Sequence, residues 1–399
     1  MIGNAFLLAL REIRNNLMRA GLTTLGIIIG VGAVIAMVSL GSAATKGVTS
    51  DIASMGRNLL VVIPGSRRGP PMGSTPFTVA DADAIAREIP GLAAVAPEAE
   101  QSAEAVNGSK NHQTQVTGST DAVFVARSWN LLQGRQFTLG ELRSGKAVCV
   151  IGETVRKELY GTANPLGLKM RVDKVSCEII GLLVPKGQST WGQDQDDIVV
   201  MPLAAVQRRL AGNTNVNVIL ASAENPNDVS HVKGQIERLM RERRHLVAGV
   251  ADNFDVNDMQ EIARTVASTT AILTAFLSAV AAVSLLVGGI GIMNVMLVSV
   301  TERTREIGIR LAIGARERDV LLQFLIEAVV MSALGGIIGI ILGLSGSAAA
   351  AHALKLPFVF QPVIVLIAVL FSAGVGVAFG YFPARRAARL DPIEALRHE

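Results

Sequence analysis

Few residues in this chain are arranged to do covalent chemistry. The stretch Gly140-Glu-Leu-Arg-Ser-Gly145-Lys146-Ala147 comes nearest to a phosphate-binding loop, where glycine amides cradle phosphates and a lysine reaches them. The residue after that lysine must carry a hydroxyl to hold magnesium, and Ala147 has none. The stretch also precedes a β-rich run, whereas the lysine of such a loop opens a helix. Leu344-Ser345-Gly346-Ser347 has the lettering of a nucleotide-binding signature but falls in or beside an apolar run, where small residues serve helix packing. His112, His231, His245, His352 and His398 are scattered, with no HExxH pair and no G-x-S-x-G nucleophile elbow. Cys149 and Cys177 are too few for a zinc site. Each sits in a β-rich run, so two buried thiols and a disulfide both stay open, the latter only in an oxidising compartment. The residues therefore support neither catalysis nor a metal or cofactor site in this chain.

The informative chemistry is where charge interrupts apolar chain. The 399 residues are 50% hydrophobic and only 18% charged, with mean hydropathy +0.43 and net charge +4. An average soluble domain carries about 25% charged residues. Four apolar runs reach the ~20 residues that cross a bilayer: Leu22 to Leu40, Thr269 to Val300, Val320 to about Ala350, and Pro362 to Phe382. Two are longer than the hydrocarbon needs and can tilt or project beyond it. Arg11, Arg14 and Arg19 precede the first run, Arg303, Arg305, Arg310, Arg316 and Arg318 follow the second, and Arg385, Arg386, Arg389 and Arg397 follow the fourth. Arginine placed this way is a topology signal and not a nucleic-acid footprint. It puts both termini and residues 301–319 in the cytoplasm, and residues 43–268 and a short 347–361 loop outside. The spans are then 22–42, 269–300, 320–346 and 362–382, with a cytoplasmic tail at 383–399.

Residues 1–21 read as an interfacial helix, because Phe6, Leu7, Leu10, Ile13 and Leu17 recur at helical spacing opposite Arg11 and Arg14. Gly41-Ser42-Ala43-Ala44 would suit a signal peptidase, but the run before it exceeds the ~7–15 apolar residues of a signal peptide. An uncleaved anchor is expected.

The second span ends abruptly in Thr301-Glu302-Arg303-Thr304-Arg305-Glu306, and Ile307, Ile309, Leu311 and Ile313 follow at once. A charged, amphipathic segment between two membrane helices is well placed to carry force from a soluble partner. The plainer reading is a charged loop satisfying the positive-inside rule; the apolar residues argue for a buried contact. Their spacing fits alternation as well as a helix. The spans themselves are nearly free of ionisable groups, which an ion-coupled transporter usually places at mid-membrane, so energy is expected from a partner. Glu327, about two turns into the third span, is the exception. It either snorkels to the interface beside an arginine or couples its span to the 301–318 segment. Glycines recur in the spans, among them Gly288, Gly289, Gly335 and Gly339. They let backbones approach closely, either within one four-helix set or along a homodimer seam.

The outer region alternates β-rich runs (Asn58–Pro64, Ala147–Gly152, Cys177–Val184, Asp197–Pro202, Val216–Ala221) with helical patterns (Val79–Ile89, Asn227–Arg244). Gly69-Pro70-Pro71 and Gly187–Asp197 read as loops. The fold class is a membrane protein with four transmembrane α-helices and a large α+β domain between the first two. One subdomain is built from both ends of that domain and a strand-rich one is inserted at about 120–205. Residues 43–56 and 258–268 extend the spans as a helical stalk.

Three blocks now carry a resemblance: Leu10 to Gly30, Met293 to Ala315, and Gly380 to Arg397. Val148–Tyr160 and Asn164-Pro-Leu-Gly add to it. The chain resembles a MacB-type permease of the FtsX-like, type VII ABC transporter superfamily. The resemblance implies a multi-pass inner-membrane protein, a homodimer, an outer domain of two subdomains, and a coupling helix seated on an ABC ATPase. It decides for helix over strand at residues 302–315. There Glu302, Arg303, Ile307, Ile309, Leu311 and Ile313 form the contact, and Arg305, Glu306 and Arg310 orient it. ATP and magnesium would be bound by the ATPase, which is expected as a separate chain. The family moves its outer domain in response to ATP, a process called mechanotransmission, and its exporters use a periplasmic adaptor and a TolC-like outer-membrane duct. Cargo would be drugs, peptides, siderophores or lipids. The alternatives are an FtsX-like regulator of a cell-wall hydrolase and a lipoprotein-releasing permease.

Overall fold

The computed structural model describes residues 17–56, 58–65, 75–189, 192–354 and 356–397. The segment around Phe6, Leu7, Leu10 and Ile13, the Gly69-Pro70-Pro71 loop and Lys355 lie outside them. The chain divides near Lys46 and Ser268 into two compact units, a helical one and a mixed one spanning Gly47–Ala267.

Four helices are long and apolar enough to cross a membrane: α1 (Leu17–Met55) before the mixed unit, and three others after it. The strands and helices between are β1 (Leu59–Pro64), α2 (Val79–Glu88), β2 (Leu92–Asn107), β3 (Lys110–Ser119), α3 (Ala122–Ala126), β4 (Leu131–Gly134), α4 (Leu139–Ser144) and β5 (Val148–Ile151). They continue with α5 (Glu153–Tyr160), β6 (Lys169–Val172), β7 (Val175–Leu183), β8 (Ile198–Pro202), α6 (Leu203–Val206), β9 (Val218–Ala223), α7 (Val229–Arg243) and β10 (Phe254–Asp258). Then come α8 (Met259–Glu302), α9 (Thr304–Ala312), α10 (Glu317–Ala353), α11 (Pro362–Ala388) and α12 (Pro392–Arg397).

The mixed unit is one ten-stranded sheet in the order β10-β1-β9-β2-β3-β8-β5-β7-β4, with β6 beside β2 and β7. The pairs β3–β8 and β5–β7 are parallel and the others antiparallel. The long β2 joins two lobes, since Leu92–Glu98 pairs with β9 and Ala99–Asn107 with β3. One lobe closes the two ends of the unit around Leu60, Ile85, Ile219, Ile236 and Met240. These come from β1, α2, β9 and α7, which fall on the runs read at Asn58–Pro64, Val79–Ile89, Val216–Ala221 and Asn227–Arg244. The strand-rich lobe is centred on Cys149, Ile151, Leu159, Met170 and Cys177. It takes in β2 and β3, which precede residue 120 and whose Ala, Glu, Gln and Thr content hides their strand character.

In the helical unit, small residues set the contacts. A Cβ on Gly26 would fall 2.9 Å from the Cα of Gly288, joining α1 to α8. Gly339 and Gly343 of α10 lie as close to the carbonyls of Ile28 and Gly32, and Gly335 meets Ile27. Gly289 faces the ring of Phe379, and Gly336 and Gly376 meet Ser372 and Ser332 across α10 and α11. The glycines singled out in the sequence are thus used between helices of this one chain. Buried Ile27, Ile35, Ile292, Phe324 and Ala384 fill the centre.

Each observed helix is longer than its apolar run. A rise of about 1.5 Å per residue gives α1 and α8 lengths near 60 Å, against a hydrocarbon core of about 30 Å. α1 runs through Gly47 to Met55, and α8 follows β10 without an intervening loop.

Candidate coupling surface

The segment between α8 and α10 is helical, so the helix and not the alternating reading holds for Thr304–Ala312. Arg303 stands at the N-cap, and Gly314, with φ +100°, turns the chain into α10. Helical spacing divides the expected contact residues into two faces. Ile307 is buried and Leu311 packs on the core of the helical unit. Glu302, Arg305, Glu306, Ile309 and Ile313 are exposed, Ile313 at 80%. A buried contact for all four apolar residues is therefore corrected: Ile307 and Leu311 hold α9 to its own chain, and Ile309 and Ile313 are left on the surface.

The charged residues brace the helix. Arg310 donates to Glu306 at 2.5 Å, one turn earlier, and to Gln323 of α10 at 3.0 Å. Arg303 lies 3.6 Å from the carboxylate of Glu327. Glu327 is buried at 6% exposure, so its carboxylate faces an arginine inside the unit instead of snorkelling to the surface. This ion pair joins the N-cap of α9 to α10.

Sequence reasoning missed α12. Its start is legible afterwards in Asp391-Pro392, where the Asp391 carboxylate accepts from the amide of Ile393 at 2.8 Å and proline suits the first turn. α12 lies against α9 so closely that a Cβ on Gly308 would fall 2.6 Å from that of Ala395. Ile393, 72% exposed, is thus a third bare isoleucine on the neighbouring helix. Exposed apolar side chains framed by charge make a surface fit to bury against protein.

The other candidates do structural work. Gly140 lies inside α4, and Gly145 ends that helix in the left-handed region, with φ +63°. Lys146 sits 3.5 Å from Glu141 and leads into β5, so the stretch is a helix stop and not a phosphate cradle. Ser347 is buried in α10. Cys149 and Cys177 are fully buried and bonded to each other, with Cα atoms 5.9 Å apart. Among the described residues no cluster of His, Cys, Asp and Glu could hold a metal.

A family model of the MacB-like periplasmic core domain matches residues 20–239, and one of the FtsX-like permease C-terminal region matches residues 278–392. Among curated relatives the chain is similar to proteins described as "Macrolide export ATP-binding/permease protein MacB". It is 42% identical to that of Rhodospirillum rubrum, covering 100% of this chain and 60% of the relative. For Azoarcus sp. strain BH72 the identity is 41%, over 98% and 59%. For Syntrophobacter fumaroxidans it is 38%, over 98% and 63%. The chain spans about 60% of the length of these relatives.

Proposed function

We propose that this chain, which belongs to the MacB-like family of permeases with an FtsX-like C-terminal region, couples ATP hydrolysis by an ABC ATPase to movement of its periplasmic domain. The observation that supports this most is the exposed side of α9, where Ile309 and Ile313 stand bare and Glu302, Arg305 and Glu306, just before them in the chain, are exposed as well. An ATPase groove would bury the two isoleucines and pair with the charges at their rim. Behind that face, Ile307, Leu311, Arg303 and Arg310 bind α9 to the membrane helices, so a push on α9 is delivered to α10. The long α1 and α8 then act as the stalk that carries displacement outward. Apart from Glu327 the apolar runs carry no Asp, Glu, His, Lys or Arg, which disfavours an internal ion relay and favours an external energy source.

ATP and magnesium belong to the ATPase in this reading, and the chain itself supplies no catalytic residue. The relatives' names speak of macrolide export; for this chain the cargo class extends to drugs, peptides, siderophores or lipids, passed to a periplasmic adaptor and a TolC-like duct. The permease would work as a homodimer in the inner membrane with its α9 side in the cytoplasm. Purification from native membranes in mild detergent, with mass spectrometry of bound proteins, tests this. An ABC ATPase with an adaptor supports the exporter. An ATPase with a cell-wall hydrolase and no adaptor moves the reading to a regulatory permease, and one that hands lipoprotein to a soluble chaperone moves it to lipoprotein release. Absence of any ATPase under nucleotide-stabilised conditions contradicts the coupling role of α9.

A further inference from the structure

The last turn of a helix leaves backbone carbonyls without partners, and a cation there is favourable. At the C-terminal end of α1 that cation is Lys186, from the chain just beyond β7. Its Nζ donates to the carbonyl of Ser54 and, at 2.8 Å, to that of Arg127. Further contacts fix the same spot. The Ser54 hydroxyl lies 3.0 Å from Oε1 of Gln195. Gly56 has φ +133°, and a Cβ there would run into the carbonyl of Ala126, so no other residue fits. The backbone of Lys186 is itself held, because Asp196 accepts from the amides of Lys186 and Gly187 at 2.7 and 2.9 Å.

The tie continues inward. Arg127 donates through Nε to the fully buried Glu98 at 2.7 Å, pairs with it again through Nη2, and stacks 5.3 Å over the Trp129 ring. Glu98 lies on β2 where that strand passes from one lobe to the other. A continuous path of charge-assisted contacts therefore runs from Ser54 through Lys186 and Arg127 to the junction of the lobes. Burial, with Arg127 close by, brings the Lys186 ammonium down to about 8, partly offset by Asp196.

We propose that Lys186 is a positioning residue that clamps the C-terminal turn of α1 to the strand-rich lobe, so that displacement of α1 is delivered to that lobe and not lost by fraying. The clamp is a property of the folded chain alone; its use in transmission rests on the exporter reading above. Hydrogen–deuterium exchange of the full-length protein in nanodiscs tests the clamp without any ATPase. Lys186→Met keeps the apolar stem and removes the cation, and Lys186→Arg keeps the cation. Hydrogen bonds to charged groups account for about a tenfold or larger effect on local opening. Amides at 51–55 should exchange about tenfold faster in Lys186→Met, those of β5 should be unchanged, and Lys186→Arg should stay within about threefold of wild type. Unchanged exchange at 51–55 in Lys186→Met would overturn the clamp. So would equal acceleration in both variants, or acceleration throughout the domain. Once the clamp is established, loss of export by Lys186→Met with ATP hydrolysis retained supports transmission through it, and full export contradicts that role.

Discussion

Cys149 and Cys177 join neighbouring strands of the strand-rich lobe and close a loop with a sequence separation of 28. Such a loop constrains the unfolded chain by about 3–4 kcal/mol. The Cys149→Ala/Cys177→Ala pair should lower denaturant stability of the domain by roughly that amount, and a loss below about 1 kcal/mol would show that the bond constrains little. Glu141 makes a second prediction. Arg135 donates to both its oxygens at 2.8 and 2.9 Å, and the Thr138 backbone adds a bond at 3.0 Å. Together they hold its carboxyl well below the usual range against some burial. A lowered native value stabilises the fold above the ordinary carboxylate pKa of about 4.3 and is lost as pH falls through the native value. The stability difference between wild type and Glu141→Gln should therefore shrink on going from pH 5 to pH 3; a constant difference would contradict the assignment. The Thr138-x-x-Glu141 box is a legible local pattern. Glu98, Arg127, Lys186 and Ser54 are not, because their contacts join residues 29, 59 and 132 positions apart and no local spacing reports them.

Among the elements, α9 carries the functional argument. Ile309 and Ile313 add little to the fold, because exposed substitutions usually shift stability within about 0.5 kcal/mol. Ile309→Asp and Ile313→Asp should leave membrane insertion and thermal stability intact while reducing ATP-driven export about tenfold or more, since an unpaired buried carboxylate costs several kcal/mol at an interface. Unchanged export by both variants would remove α9 as the docking face. The four spans were legible because about twenty apolar residues flanked by arginine match the thickness and charge asymmetry of a bilayer and little else. The helical extensions read at 43–56 and 258–268 are found in α1, which continues to Met55, and in α8, which starts at Met259; the end of the fourth was not legible, since α11 continues past Phe382 to Ala388. β2 escaped for a physical reason. Its buried positions Ala96, Ala99, Ala103 and Ala105 are small, and pairing to β3 and β9 supplies what propensity lacks. The faces of α9 needed the fold too, because alternation at 307, 309, 311 and 313 cannot tell which pair is covered.

At the scale of the molecule, four helices long and apolar enough to cross a membrane and an α+β domain between the first two make a multi-pass membrane protein of the MacB-like family, the fold class the sequence pattern and the family resemblance anticipated. Gly288, Gly289, Gly335 and Gly339 are consumed by contacts within the chain, so a homodimer would have to meet through other faces. The account depends on one docking event, at α9. A photo-activated cross-linking residue placed at Ile309 or Ile313, irradiated in native membranes and read by mass spectrometry, tests it directly. The same residue at Ile338, exposed on α10 within the membrane span, is the control. The account predicts an ABC ATPase joined to positions 309 and 313 and none to 338; ATPase-free adducts at 309 and 313, with the complex otherwise active, would contradict it.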